Sequence, residues 1–251
     1  MKQLLLALQF LTILPLRLKN CEKKDFGGSL IYFPVIGLII AFILALGLGS
    51  FQSLGFRGIA LSVFLIVLLA IITGGLHLDG LADTADSFYA GKDKDATLAI
   101  MRDPHIGTMG VLAIFCVLLL KISLFYSQIE PLKIKGFFLM CLLSRWAMVM
   151  LIFSFPYARK EGKAKVFIES INLKIFLMAT GITGISVFLI WRIKGLVLWA
   201  IISGCAIIIC KLCSRKTGGI TGDILGASNE IIEVLSLFFI YTLGGQKLWL
   251  A

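Results

Sequence analysis

Between Gly74 and Phe88 the chain reads Gly-Gly-Leu-His-Leu-Asp-Gly-Leu-Ala-Asp-Thr-Ala-Asp-Ser-Phe. Asp79, Asp83 and Asp86 recur at i, i+4 and i+7, so on a helix they occupy a sector of roughly 60° on one face. Carboxylates stacked in this way repel one another unless a cation lies among them. Mg2+ and Mn2+ are the natural occupants, hard ions that take oxygen ligands and keep positions open for substrate phosphates. A solvated acidic helix end is the plain alternative. Against it, Gly80, Leu81, Ala82 and Ala85 make the same stretch a packing surface, where unpaired charge is costly.

Two further segments carry groups suited to the same chemistry. Ile-Met-Arg-Asp-Pro-His-Ile-Gly-Thr-Met-Gly, from Ile100 to Gly110, is broken by Pro104 and two glycines and presents Arg102, Asp103 and His105 in a turn. Beside the aspartate face it would add a metal ligand, Asp103, and a phosphate-binding cation, Arg102. The stretch from Gly218 to Glu233 leads into an apolar run, with Asp223 and Glu230 two turns apart on one helical face. Asp223 reads either as a metal ligand or as a helix cap. The basic stretch from Pro156 to Lys165, which contains Arg159, suits phosphates, although any cation-rich membrane loop looks similar. Cys210 and Cys213 form a lone CxxC with no further ligands at zinc spacing, so helix packing is the expected role.

The elements that must position these groups are membrane helices. The 251 residues are 59% hydrophobic and only 15% charged, with a mean hydropathy of +0.99. A soluble globular chain is about 25% charged. Apolar runs long enough for a spanning helix of roughly 20 residues occur at 30–56, 58–78, 109–129, 134–155, 173–193, 195–212 and 231–250. The opening stretch, Gln3 to Leu16, is apolar but short and broken by Pro15, so it reads as a tilted span, a re-entrant piece or an interfacial helix. Lysines and arginines follow it rather than a small-residue cleavage site, which argues against a removed signal peptide. The expected fold is all-α: one membrane-embedded domain over 1–251, a polytopic helical bundle of about 7–8 membrane segments.

Loop cations set the orientation. One side collects Arg17, Lys19, Lys23, Lys24, Lys92, Lys94, Arg102, Arg159, Lys160, Lys163, Lys165, Lys174, Lys211, Arg215 and Lys216, the other only Lys2, Arg57, Lys133, Lys135, Arg192, Lys194 and Lys247. The positive-inside rule places the first group in the cytoplasm. Asp79, Asp83, Asp86, Asp103, Asp223 and Glu230 fall on that same side, so the expected active site faces the cytoplasm from the cell (inner) membrane. Topology and anionic headgroups account for the net charge of +10 without a nucleic acid partner.

His77 to Asp86, Ile100 to Gly110, Pro156 to Arg159 with Gly162, and Thr221 to Ala227 with Glu230 together closely resemble the cobalamin synthase (adenosylcobinamide-GDP ribazoletransferase) family. Gln9 to Pro15 and Tyr32 to Gly37 resemble its N-terminal region, so the likeness runs through nearly the whole chain in order. The resemblance implies a Mg2+-dependent transferase. It would join adenosylcobinamide-GDP to α-ribazole or its 5′-phosphate and release GMP, the last assembly step of cobalamin biosynthesis. On that footing Asp79, Asp83 and Asp86 are expected to hold metal, with Asp103 and Asp223 as further ligands. Arg102, Arg159 and Glu230 are expected at substrate. His77 and Asp86 are alternative bases for the attacking hydroxyl, although His77 lies roughly opposite Asp79 on an ideal helix. Partners on this reading are the two substrates and the lipid bilayer, with a second copy of the chain left open. The rival class is a cation or corrinoid transporter, to which the intramembrane cations Lys121 and Arg145 draw attention.

Overall fold

The computed structural model describes residues 1–16, 18, 20–162 and 164–245. Arg17, Lys19, Lys163 and Lys247 of the charge tally, and the end of the last apolar run, lie outside the described residues. Among the described residues the chain is helical throughout, with a single isolated bridge between Tyr157 and Ile220. A short α1 (Lys2–Leu11) precedes α2 (Lys23–Ser29), which continues through a 3-10 turn into α3 (Phe33–Ser53). Then come α4 (Gly58–Thr73), α5 (Leu76–Ala90), α6 (Lys94–Ile100), α7 (Thr108–Tyr126), α8 (Glu130–Ser154), α9 (Lys165–Ser170), α10 (Leu173–Thr217) and α11 (Gly222–Leu243).

Five of the helical stretches are long and apolar enough to cross a membrane, and α4 with α5 forms a sixth, bent by 90°. α10, at 45 residues, would be about 67 Å long if straight, against a hydrocarbon core of about 30 Å. It folds back instead. Trp191 and Arg192 leave helical geometry, Arg192 with φ 52°, and beyond them the second arm returns along the first. A Cβ placed on Gly184 would lie 3.1 Å from the Trp199 ring. Trp146 of α8 touches both arms, donating from Nε1 to Thr180 Oγ1 at 3.1 Å and packing edge-on against Trp199. With α10 counted as two arms and the bent pair as one, each of the seven apolar runs lies on its own helical stretch, the last as far as the described residues reach.

The core runs along α8, 89% of whose apolar stretch is buried, whereas α7 buries only 17% of its own and turns residues such as Phe115 and Leu119 outward. A largely apolar exterior around a buried central helix is what a lipid-solvated bundle requires. The fold is thus an all-helical polytopic membrane bundle.

One boundary differs from the expectation from sequence. Hydropathy continues the second apolar run straight to Leu78, but Gly74 (φ 62°) and Gly75 (φ 68°) adopt consecutive left-handed conformations, end α4 and redirect the chain. That geometry strains any residue with a Cβ, so the glycine pair, invisible to hydropathy, makes the corner. The last helix begins at Gly222, so Asp223 and Glu230 share it as their spacing implies, but its cap is Thr221 and not Asp223, Oγ1 accepting from the Ile224 amide at 3.1 Å.

Candidate functional site

The corner at 74–75 sends α5 across the end of the bundle, where it packs against the first turns of α11. The packing is backbone to backbone. A Cβ on Gly80 would lie 2.8 Å from the Asp223 carbonyl oxygen, and one on Gly226 would lie 3.3 Å from His77 Cα. Close approach of this kind is the use small residues have between membrane helices. It sets the acidic face of α5 beside Asp223, so that Asp83 feels Asp79, Asp223 and Asp86 as like charges and Arg159 as their counter-charge.

Three loops meet this face. The segment after α8 pairs with the segment before α11 through Ala158 N donating to Ile220 O at 2.9 Å and Ile220 N donating to Pro156 O at 2.8 Å. That pairing delivers Arg159, whose Nη2 lies 2.8 Å from Asp223 Oδ2. Because Thr221 caps the helix, Asp223 is free for this ion pair. The Arg159 Nε is buried without an acceptor among the described residues. From the third loop, after α6, Arg102 reaches the same place. Together they line a cavity of about 490 Å3 that includes Asp79, Arg102, Tyr157, Arg159 and Asp223 at its polar side, with His77 and Met148 among the buried lining. Burial pushes the Tyr157 phenol up from its ordinary value. Asp79 and Arg102 remain exposed at the opening.

The other expected site residues are placed differently. Asp86 accepts from the Gly107 amide at 2.7 Å and the Gly110 amide at 2.8 Å, which fastens the start of α7 to α5 and gives unpaired helix N–H groups a charged partner. Asp103 lies off the main cavity, sharing a shallower depression with Asp86 and His105. The His105 amide, with its ring, holds the Asp103 carboxyl below the usual carboxylate range. His77 is 2% exposed, with both ring nitrogens unpartnered among the described residues. Its charged neighbours are Arg145, Glu233 and Lys121.

Glu230 is not at the cavity. It is buried 2.6 Å from Lys121 Nζ, and Lys121 also bonds Glu233, which in turn pairs with Arg145. Asn229 donates to Glu233 at 3.2 Å. Two acids of α11 thus balance one cation from α7 and one from α8 at mid-bundle depth. Sequence reasoning marks both cations but misses Glu233, whose i+3 spacing from Glu230 is the available signal.

The donor set on the α5 and α11 rim is oxygen only, which suits a hard divalent ion. Among the described residues no three His, Cys, Asp or Glu side chains converge on one point, so the rim fits an ion held by one or two carboxylates and completed by phosphate oxygens and water, the usual Mg2+ arrangement.

Comparison with known proteins identifies the family of the whole chain. The family model described as cobalamin-5-phosphate synthase matches residues 3–241. Proteins named adenosylcobinamide-GDP ribazoletransferase are similar along nearly their whole length. The one from Desulforamulus reducens is 34% identical over 97% of this chain and 96% of its own. That from Syntrophobacter fumaroxidans is 37% identical over 92% and 94%, and that from Clostridioides difficile 33% identical over 97% and 98%. No solved structure gives a significant match. With the family model covering almost every helix and these relatives aligned end to end, the chain belongs to the cobalamin-5-phosphate synthase family.

Proposed function

We propose that this chain transfers the adenosylcobinamide-phosphate group of adenosylcobinamide-GDP to α-ribazole or its 5′-phosphate, releasing GMP and completing the cobalamin skeleton. The observation that carries the reading is the meeting of Asp79, Arg102, Arg159 and Asp223 on one cavity, beside the remaining carboxylates of α5. In the reaction a ribose hydroxyl that both forms of the acceptor retain, and so not the 5′ one, bonds through its oxygen to the corrinoid-side phosphorus and gives up its proton, the bond from that phosphorus to the bridging oxygen breaks, and GMP leaves with the electron pair.

Phosphoryl transfer is chiefly positioning and charge neutralisation. Arg102 and Arg159 have the planar fork that matches phosphate oxygens, and Asp223 holds Arg159 in place until phosphate arrives. A bound Mg2+ would supply charge neutralisation of the diphosphate. Asp79 and Asp83 are the residues to hold it, with Asp223 adjacent. Of the two bases left open by sequence, His77 lies in the buried part of the cavity lining, away from the charged lip where the diphosphate binds, so the hydroxyl proton passes to a carboxylate of the α5 face. Glu230 is better read as part of the buried charge cluster than as a substrate ligand. The charged loops at this end of the bundle favour a cytoplasmic site in the inner membrane.

The test is purified protein in lipid nanodiscs given both substrates, with GMP release and corrinoid product followed with Mg2+ and with a chelator. Product that requires both substrates and the cation is the expected result. Binding or movement of corrinoid without GMP would leave a transporter in its place.

A further inference from the structure

The cavity has two kinds of wall. Its exposed lip carries charge, in Asp79 and Arg102. Its buried lining is apolar: Met148, Ala164 and Leu225 are 2–4% exposed, and Phe10 of α1 closes it from the side. Phe10 is held by other aromatic rings, with centroids 4.6 Å from Phe167 and 5.8 Å from Phe33, so it presents a fixed platform. The one polar side chain in this buried part is His77.

The two substrates differ in what they could bury there. Guanine carries five polar edge groups, N1–H, the exocyclic amine, O6, N7 and N3. Placing it against Met148, Leu225 and Phe10 would strip water from several groups that find no partner, each costly. A benzimidazole nucleoside has a flat, largely apolar bicyclic base with one ring nitrogen free to accept. A wall of this make-up takes the second and rejects the first. Aromatic and thioether side chains around a planar base are also favourable contacts in their own right.

We infer that the buried wall formed by Phe10, Met148 and Leu225 is the seat of the acceptor's benzimidazole base, and that Phe10 and Met148 are specificity-determining residues for the acceptor. This rests on the transferase reading. It also gives α1, too short to cross a membrane, a definite role, since that helix carries Phe10 to the cavity. The acceptor's ribose then extends toward the charged lip, where the diphosphate of the donor meets Arg102 and Arg159.

The experiment is steady-state kinetics of the full-length protein in nanodiscs with two acceptors, the riboside of benzimidazole and the riboside of imidazole, which lacks the fused ring. The wild-type protein is expected to prefer the bicyclic acceptor by between about 10- and 100-fold in kcat/KM, the range set by loss of one base-stacking contact. Phe10→Leu and Met148→Ala are each expected to cut that preference by about tenfold or more, through KM for the bicyclic acceptor, leaving KM for the GDP-activated corrinoid within about threefold. Equal use of the two acceptors by the wild type overturns the inference without any variant, and so does a variant that raises KM for the corrinoid substrate instead, since the guanosine would then occupy this wall. No product from the wild type with either acceptor would fail the transferase reading itself, and is seen before any variant is compared.

Discussion

Arg159, in the loop after α8, and Asp223, in the first turn of α11, sit with Nη2 and Oδ2 2.8 Å apart at the lip of the cavity. A guanidinium already paired can exchange a carboxylate for a phosphate at little cost in ordering, since its position is held beforehand. Arg159→Ala and Arg102→Ala should each raise KM for the GDP-bearing substrate by between about 10- and 100-fold, the worth of a charge-assisted hydrogen bond. KM for unphosphorylated α-ribazole should change little. A rise confined to α-ribazole would reverse the assignment of these arginines.

The three aspartates of α5 should separate into two kinds. Asp79→Asn and Asp83→Asn are expected to abolish product formation while the protein melts normally, because a neutral amide cannot balance a dication. Asp86→Asn should also lower the melting temperature, since one amide oxygen replaces two carboxylate oxygens that now hold the Gly107 and Gly110 amides, a loss of about 1–2 kcal/mol. Thermal unfolding beside Mg2+-dependent turnover makes the distinction. An unshifted melting curve for Asp86→Asn would mean that it does not fasten α7.

The buried charges make a different demand. Lys121→Met leaves Glu230 and Glu233 short of a cation and should destabilise the bundle by about 3–5 kcal/mol, whereas Lys121→Met with Glu230→Gln should recover most of that loss. Unfolding in detergent measures both. A single variant within about 1 kcal/mol of the parent would show that these groups are not held as an ion cluster.

Orientation is checked by single cysteines in a background lacking the six native ones. Positions 93, 160 and 219, all at the cavity end, should be reactive only from the cytoplasm, and position 54, at the far end of α3, only from outside. Labelling of any of the first three from outside would invert the topology.

Much of this site is readable as spacing, because a helix turns i, i+4 and i+7 into one face whatever surrounds it, and Asp79, Asp83 and Asp86 do share α5. What spacing does not supply is partner choice between distant helices. Lys121 and Arg145 stand out as cations in apolar runs, yet nothing local says that they meet acids about 90 residues or more away on α11. Glu230, which shares a helical face with Asp223 by spacing, is separated from it in role by burial alone. Gly74 and Gly75 look like the small residues common in membrane helices, and only their positive φ reveals a corner. Thr221 does not stand out as the cap because the carboxylate two residues on is the stronger candidate by residue type.

The reversal at Trp191–Arg192 bears on how the protein assembles. Arg159 and Asp223 are 64 residues apart in sequence, a separation that would make their meeting slow in a free chain, since long closures cost entropy before any contact repays it. Once the two arms of α10 have inserted as a hairpin, both ends return to the same membrane face, and only the short segments flanking α10 remain to be joined. The Tyr157–Ile220 bridge then closes as a local event, and the cavity lip can form as soon as α11 enters the bilayer, without waiting for a search through the whole polypeptide.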